Sequence, residues 1–372
     1  MLEHLGLRNF KSIKDEDFEL SNLTMFSGLN GMGKSSVIQS LLLLRQSFEQ
    51  HMLPNTGLNL SGEYVSLGNG KDVLFHDAEI ESINIEACWP ESELNITFDY
   101  VENSNMQPVN GGFTTLEGSP FEEALFVSKF QYLSAERISP KSFYDVSEYA
   151  ISTRRSLGIK GEYTAHFLSQ HGDKPISISQ LQHEKATSTS LIDNVNAWMS
   201  DITPGTKVIT KLIPDINQAS LHYQFESSSE LTAKFRPENT GFGLTYVLPV
   251  VTSILGSRIG DLLVIENPES HLHPSGQAIV AKLMAIAAQS GVQIIVETHS
   301  DHILNGVRTS IKSKNIMADN ALIYFLSRDI TSNEHYASAD KVVIDSKGRI
   351  EHWPVNFFDE WDKSLSHLLR ED

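Results

Sequence analysis

The chain has 372 residues, 40% of them apolar and 20% charged, enough to bury one large core or two modest ones. Its formal net charge of −18 argues against a broad, nonspecific grip on nucleic acid, which relies on many Lys and Arg contacts to phosphates, and leaves room only for a local basic groove. A single cysteine, Cys88, excludes an intrachain disulfide and an all-cysteine metal cluster, no apolar run is long enough to span a membrane, and the first residues (Glu3, His4, Arg8, Lys11) lack the apolar stretch of a secretion signal, so a cytoplasmic protein is expected.

In chain order, Leu5–Phe10 reads as a first strand, Asp17–Leu20 as its partner and Leu23–Phe26 as a buried strand. Gly28-Leu-Asn-Gly-Met-Gly-Lys-Ser35 then fits the phosphate-binding pattern G-x-x-x-x-G-K-[ST], and a helix-like run, Ser36–Arg45, follows it. In that strand, loop and helix order, backbone N–H groups from Asn30, Gly31, Met32 and Gly33 to Ser36 are expected to ring a phosphate. Lys34 would reach the β- and γ-phosphates of a nucleoside triphosphate, and the Ser35 hydroxyl would be a ligand for Mg²⁺.

From about residue 55 to 132 the pattern has period two: Ile83, Ile85, Ala87 and Trp89, then Leu94, Ile96, Phe98 and Tyr100, alternate with polar residues as an antiparallel hairpin with one wet face. A strand, Phe126–Leu133, leads into the polar loop Ser134–Arg137. Residues 138–235 are read as an inserted α+β lobe. They hold a helix with Leu191, Val195, Trp198 and Ile202 at helical spacing, stopped by Pro204-Gly205, and short strands at Lys207–Leu212, Leu221–Phe225 and Leu231–Phe235. Beyond Gly241, helices (Gly243–Ile254, Ser275–Gln289, Asp301–Lys312) alternate with strands (Asp261–Glu266, Val292–Glu297, Ala321–Leu326), the signature of a parallel sheet with ligands at its carboxyl edge. Val342–Ile350 looks like a hairpin turning at Lys347-Gly348, and the aromatics Trp353 to Trp361 read by default as core packing rather than a partner-docking patch. The expected divisions are 1–137, the first half of a nucleotide-binding domain with an antiparallel β lobe; 138–235, the inserted lobe; 236–330, the second half; and 331–372, a short C-terminal piece.

Three stretches narrow the chemistry. Leu262–Glu266 is four apolar residues ending in a carboxylate, the form of a strand whose acid holds Mg²⁺. Asn239-Thr-Gly-Phe-Gly-Leu-Thr245 opens a helix after glycines, a second anion site if it faces a γ-phosphate from another subunit and otherwise a tight turn. His299 directly follows a strand, where an imidazole donates to a γ-phosphate or orients water. A rival reading gathers His271, His273, His299 and His302 with Glu266 and Glu269 into a metal-hydrolase site. Arg154, Arg155 and Lys160 read by default as a solvated face rather than a DNA contact.

Together these stretches resemble the ABC-type ATPases, in the branch that holds the structural-maintenance-of-chromosomes (SMC) proteins, RecF and the OLD-type ATPases, and within it a bacterial group of AAA-labelled ATPases with a short C-terminal domain of unknown function. The resemblance rests on Leu7-Arg-Asn-Phe-Lys-Ser12, the phosphate loop, Tyr132-Leu-Ser-Ala-Glu-Arg137, Asn239-Thr-Gly-Phe-Gly243, Glu266-Asn-Pro-Glu-Ser-His-Leu-His-Pro274, Thr298-His-Ser-Asp301 and Trp353-Pro with Phe357-Phe-Asp359. It implies a P-loop α/β fold with a parallel core sheet, an antiparallel β lobe and an inserted α+β lobe, with ATP and Mg²⁺ as ligands. It also implies a head-to-tail dimer around two ATPs, with Asn239, Gly241 and Gly243 acting in trans, Ser270–His273 as the dimer-facing loop, His299 as switch histidine and Gln131 as the glutamine that couples Mg²⁺ to the inserted lobe. Where the family places a glutamate as general base, directly after the Mg²⁺ acid, this chain has Asn267, which cannot accept a proton as a carboxylate can. Glu269 is the nearest substitute, and slow hydrolysis of ATP to ADP and phosphate is expected.

The arm between the two halves lacks the heptads of a coiled coil, and no acidic nuclease motif set follows Thr298. Two functions are therefore carried forward. One is an ATPase serving as sensor or motor of a bacterial anti-phage or DNA-maintenance system beside a separate nuclease or toxin. The other is a nucleotide-gated scaffold whose ATP-bound dimer restrains a partner protein.

Overall fold

A computed structural model describes residues 1–114, 118–227, 230–328, 336–354, 357, 358, 365 and 367–369. The chain opens with β1 (His4–Phe10), β2 (Ile13–Glu19), β3 (Leu23–Gly28) and α1 (Lys34–Glu49). It continues through β4 (Gly57–Asn59), β5 (Ser82–Cys88), β6 (Glu93–Asp99), β7 (Met106–Thr114) and β8 (Phe130–Leu133). The middle holds β9 (Phe143–Asp145), α2 (Thr164–His171), α3 (Leu191–Ile202), β10 (Thr206–Ile213) and β11 (Gln218–Phe225). Last come α4 (Phe242–Leu255), β12 (Leu262–Glu266), α5 (Pro274–Gln289), β13 (Gln293–Glu297), α6 (Asp301–Lys312), β14 (Ala321–Ser327) and β15 (Ser338–Val342).

β3, β12 and β13 are near-continuous apolar runs because both faces of their sheet are covered. The order is β15-β14-β3-β13-β12-β8, with β14, β3, β13, β12 and β8 parallel and β15 antiparallel at the edge. A second six-stranded sheet, β2-β1-β5-β6-β7-β4, is antiparallel. In β5 and β6, Ile83, Ile85, Ala87, Leu94, Ile96 and Phe98 are buried while their neighbours face outward, the expected alternation. α1 lies between the two sheets, and one apolar cluster joins Val37, Ile38 and Leu41 to Leu5 and Ile83 on one side and to Phe26 and Val264 on the other. That sandwich buries Leu43 together with Val37, Ile38, Leu41, Leu42 and Leu44, as for any helix covered all round.

The middle segment forms a three-stranded sheet, β10-β11-β9, with α2 and α3. Ser190 caps α3 by accepting from Asp193 N, and Leu191, Val195, Trp198 and Ile202 are buried against the cluster that also covers the other face of the core sheet. Each such side chain contributes about 1.5–3 kcal/mol.

Several elements differ from expectation at their ends. β2 begins at Ile13 rather than Asp17, its polar residues pointing to solvent, and Leu231–Phe235 forms only isolated bridges to Glu226 and Tyr223. Phe126 is buried but precedes β8, which starts at Phe130. The turn at Lys347-Gly348 is present, closed by a bridge between Ile344 and Ile350, but the preceding β15 pairs with β14 and so extends the core sheet. Phe357 is fully buried against Phe325, Trp353 is half exposed, and Asp359 and Trp361 lie outside the described residues.

Candidate active site

Parallel strands bring their carboxyl ends to one edge, and there β3 gives way to the phosphate loop. Gly28 (φ 141°) and Gly33 (φ 94°) hold backbone shapes that L side chains resist, and a Cβ on Gly28 would lie 2.3 Å from the Leu326 carbonyl oxygen. Gly33 is the N-cap of α1, and no side chain caps that end, so its first N–H groups are offered to an anion. Lys34 is buried and its Nζ donates to the carbonyls of Gly28 (2.9 Å) and Leu29 (2.7 Å). Burial pulls its pKa down, and the charge of Glu297 partly opposes that. His299 bonds through its ring to the Gly28 backbone, and burial beside Lys34 lowers its pKa, keeping the imidazole neutral near pH 7.

The acidic edge is built by register. Glu266 and Glu297 end β12 and β13 and are paired residues of adjacent parallel strands, so their Cα atoms sit about 5 Å apart. Ser35 Oγ donates to Glu297 Oε1 at 3.1 Å, and Ala135 N donates to Glu266 Oε2 at 2.9 Å. Arg137, 3% exposed, donates to the Glu266 carbonyl at 2.8 Å, and burial lowers its pKa to about 10. Glu269 Oε1 accepts from His299 N at 2.9 Å, and burial raises the Glu269 pKa. Burial and the neighbouring charge of Glu266 push the Glu297 pKa up to about 7. Asn267 Oδ1, Glu269 Oε2 and Glu297 Oε2 are buried without a hydrogen-bond partner, as are Arg137 Nε and Nη1. Buried polar atoms are normally paired, so these oxygens fit a hydrated cation and the guanidinium fits an anion.

Asn239 and Gly241 are exposed and Gly243 half-buried at the start of α4, whose N-terminus has no side-chain cap. Gly243 abuts the loop after β12: a Cβ there would lie 2.5 Å from the His271 carbonyl oxygen. Among the described residues no hydrogen bond joins Asn239–Gly243 to the phosphate loop.

The family described as AAA ATPase domain matches residues 1–213, more than half of the chain. The chain belongs to that family. A family described as AAA domain, putative AbiEii toxin, Type IV TA system, matches residues 174–305 of this ATPase, and one described only as a protein of unknown function matches 316–368. The DNA replication and repair protein RecF of Corynebacterium jeikeium (strain K411) is 23% identical over 275 residues, 70% of this chain and 62% of that protein. The SMC head bound to the C-winged helix domain of ScpA aligns over 92% of this chain and 97% of its own, with TM-score 0.52 and 15% identity. The SMC head domain from Thermotoga maritima covers 92% and 99%, with TM-score 0.44 and 13% identity. The fold is thus the SMC head-like α/β fold, in a chain of the AAA ATPase domain family.

Not every residue expected at the ATPase site lies there. Gln131 pairs in register with Leu263, three residues short of Glu266, and its side chain bonds to Leu157 N, Tyr132 O and Gly158 O, with no hydrogen bond to Ser35 among the described residues. The loop after it, through Ala135 and Arg137, makes the contact with Glu266 instead. The metal-hydrolase reading also fails, because the histidines are dispersed: His273 caps α5 through Ser275, and His271 packs edge-on against Tyr246. Among the described residues no trio drawn from that set has its ligand atoms within 4.8 Å of one another. Glu297 was missed although it too is an acid closing an apolar run, and only the parallel register shows that it stands beside Glu266. No helix among the described residues is long and apolar enough to cross a membrane.

Proposed function

We propose that two copies of this ATPase close head to tail around two Mg-ATP, each nucleotide held by the phosphate loop of one copy and the start of α4 of the other. The observation that supports this most directly is the separation of the two anion sites: the end of α1 is lined by Lys34, His299 and the acids, whereas the uncapped end of α4 is exposed and without a hydrogen bond to the phosphate loop among the described residues. Asn30 to Ser36 would cradle the phosphates, with Lys34 exchanging the Gly28 and Leu29 carbonyls for phosphate oxygens. Ser35 and Glu266 would hold Mg²⁺, and Glu297 would position Ser35. Bound there, Mg²⁺ would neutralise charge on the β- and γ-phosphates. His299, beside Lys34 and on the Gly28 backbone, would donate its ring N–H to a γ-phosphate on releasing Gly28.

Asn267 adopts φ 44°, a left-handed backbone that Asn tolerates better than Glu, so the position of the usual base suits an amide. Glu269, buried with one free oxygen, is the carboxylate left to draw a proton from water, and turnover is slow. Phosphate release from Mg-ATP over a range of protein concentrations tests the reading. A rate per subunit that rises with concentration and vanishes in Lys34→Ala supports it, and a rate independent of concentration removes the two-site dimer.

The partner proposed is a separate effector, a nuclease or toxin, in an anti-phage or DNA-maintenance setting; similarity to the AbiEii toxin, Type IV TA system family and to RecF supports that setting. Asn267 equally favours a scaffold whose ATP-bound dimer restrains the partner and seldom hydrolyses. Stimulation of turnover by DNA favours the first, and partner capture that needs ATP binding but no turnover favours the second.

A further inference from the structure

Remote from the phosphate loop, the outer face of the antiparallel sheet brings together His4, Glu86 and Cys88, whose ligand atoms all lie within 4.8 Å of one another. Register places them: His4 on β1 is paired with Cys88 on β5, and Glu86 stands two residues earlier on the same face. Cys88 Sγ is 4.0 Å from His4 Nδ1 and 3.5 Å from Glu86 Oε1. Tetrahedral zinc holds neighbouring S, N and O donors about 3.3–3.6 Å apart, so the sulfur already stands within a few tenths of an ångström of that spacing from both partners. On the other side of the imidazole, His4 Nε2 faces Asp17 Oδ1 at 3.4 Å, and Arg8 holds that carboxylate through both oxygens at 2.9 Å. A carboxylate taking the far N–H of a histidine fixes the tautomer that turns the other nitrogen's lone pair to a metal. Gly6 makes the room: it pairs with both Asp17 and Glu86, and a Cβ on it would lie 3.0 Å from Asp17 Oδ1 and 3.5 Å from His4 Cε1.

We propose that His4 Nδ1, Cys88 Sγ and a Glu86 oxygen form a zinc site, with Asp17 as the positioning residue behind His4 and water in the fourth position. The thiol S–H breaks as the S–Zn bond forms, and the proton leaves to solvent. A thiolate, an imidazole and a carboxylate select zinc over Mg²⁺ or Ca²⁺, which prefer oxygen alone. The ligands stand on two paired strands, so the ion staples the N-terminal strand to β5. Half-burial of all three, beside a cleft lined by Cys88, Trp89, Glu91 and Glu93, leaves a path for entry.

The full-length chain, purified without chelator or histidine tag, is titrated with Co²⁺ and then Zn²⁺. The expected result is a thiolate-to-Co²⁺ charge-transfer band that saturates at one ion per chain and is displaced by Zn²⁺. Cys88→Ser loses the band and one equivalent of Zn²⁺, and Asp17→Asn keeps the band with affinity weakened roughly 10–100-fold. Co²⁺ bound without a thiolate band in the unaltered chain, or equal Zn²⁺ uptake by Cys88→Ser, overturns the site. The first readout needs no variant, so a misfolded mutant does not rescue the idea.

Discussion

Glu297 is a buried acid whose charge the fold does not welcome. Its pKa stands near 7 in the folded chain against an ordinary value near 4.5, so the folded state holds the proton more tightly. Stability is therefore highest below about pH 4.5 for this group and declines as pH rises through 7, by on the order of 3 kcal/mol. Glu297→Gln is expected to raise the melting temperature at pH 8, leave it nearly unchanged at pH 5, and weaken Mg-ATP affinity because Ser35 loses its carboxylate partner. Equal melting shifts at both pH values would show that the carboxylate charge is not the cause. For catalysis the informative side chains are Lys34 and Glu269. Lys34→Ala removes nucleotide binding, read by equilibrium titration. Glu269→Gln should retain ATP binding and lower turnover by on the order of 100-fold, the range of a general base; unchanged turnover removes Glu269 from the chemistry.

At the scale of elements, two features carry predictions. The start of α4 and the loop after β12 are in contact through Gly243 and His271, and Phe242 and Tyr246 lie against the His271 ring. Gly243→Ala forces a Cβ onto the His271 carbonyl, which is backbone and cannot swing away, so a loss of about 1–3 kcal/mol is expected by urea denaturation. Ser190→Ala removes the cap of α3 and should cost about 1 kcal/mol in the same assay. The phosphate loop, α3 and the α/β alternation after Gly241 were legible in the sequence, because glycine spacing, capping and apolar period are local signals. Leu231–Phe235 was read as a strand from its alternation, but Leu231 and Phe235 stay largely exposed and bridge only singly, so no sheet face rewards them.

For the whole molecule, closure of two copies that each carry −18 opposes itself electrostatically at long range. The proposed ATP-dependent dimer is therefore expected to tighten as salt rises from about 0.01 to 0.15 M, where the screening length falls from about 30 to 8 Å. Sedimentation of Lys34→Ala, expected to stay monomeric at every salt, is the control. The sequence by itself determined the P-loop α/β class and the order of motifs, and it singled out Lys34, Ser35, Glu266 and His299 as candidates, since each is a local pattern of glycine, apolar run and terminal polar residue. Only the tertiary structure decided which side chains meet. Parallel register set Glu297 beside Glu266, the same register held Gln131 three residues short of it, and the dispersal of His271, His273 and His302 ended the metal-hydrolase reading. Strand pairing joins residues far apart in the chain, and the spacing along one strand does not say which residue will stand beside it on the next.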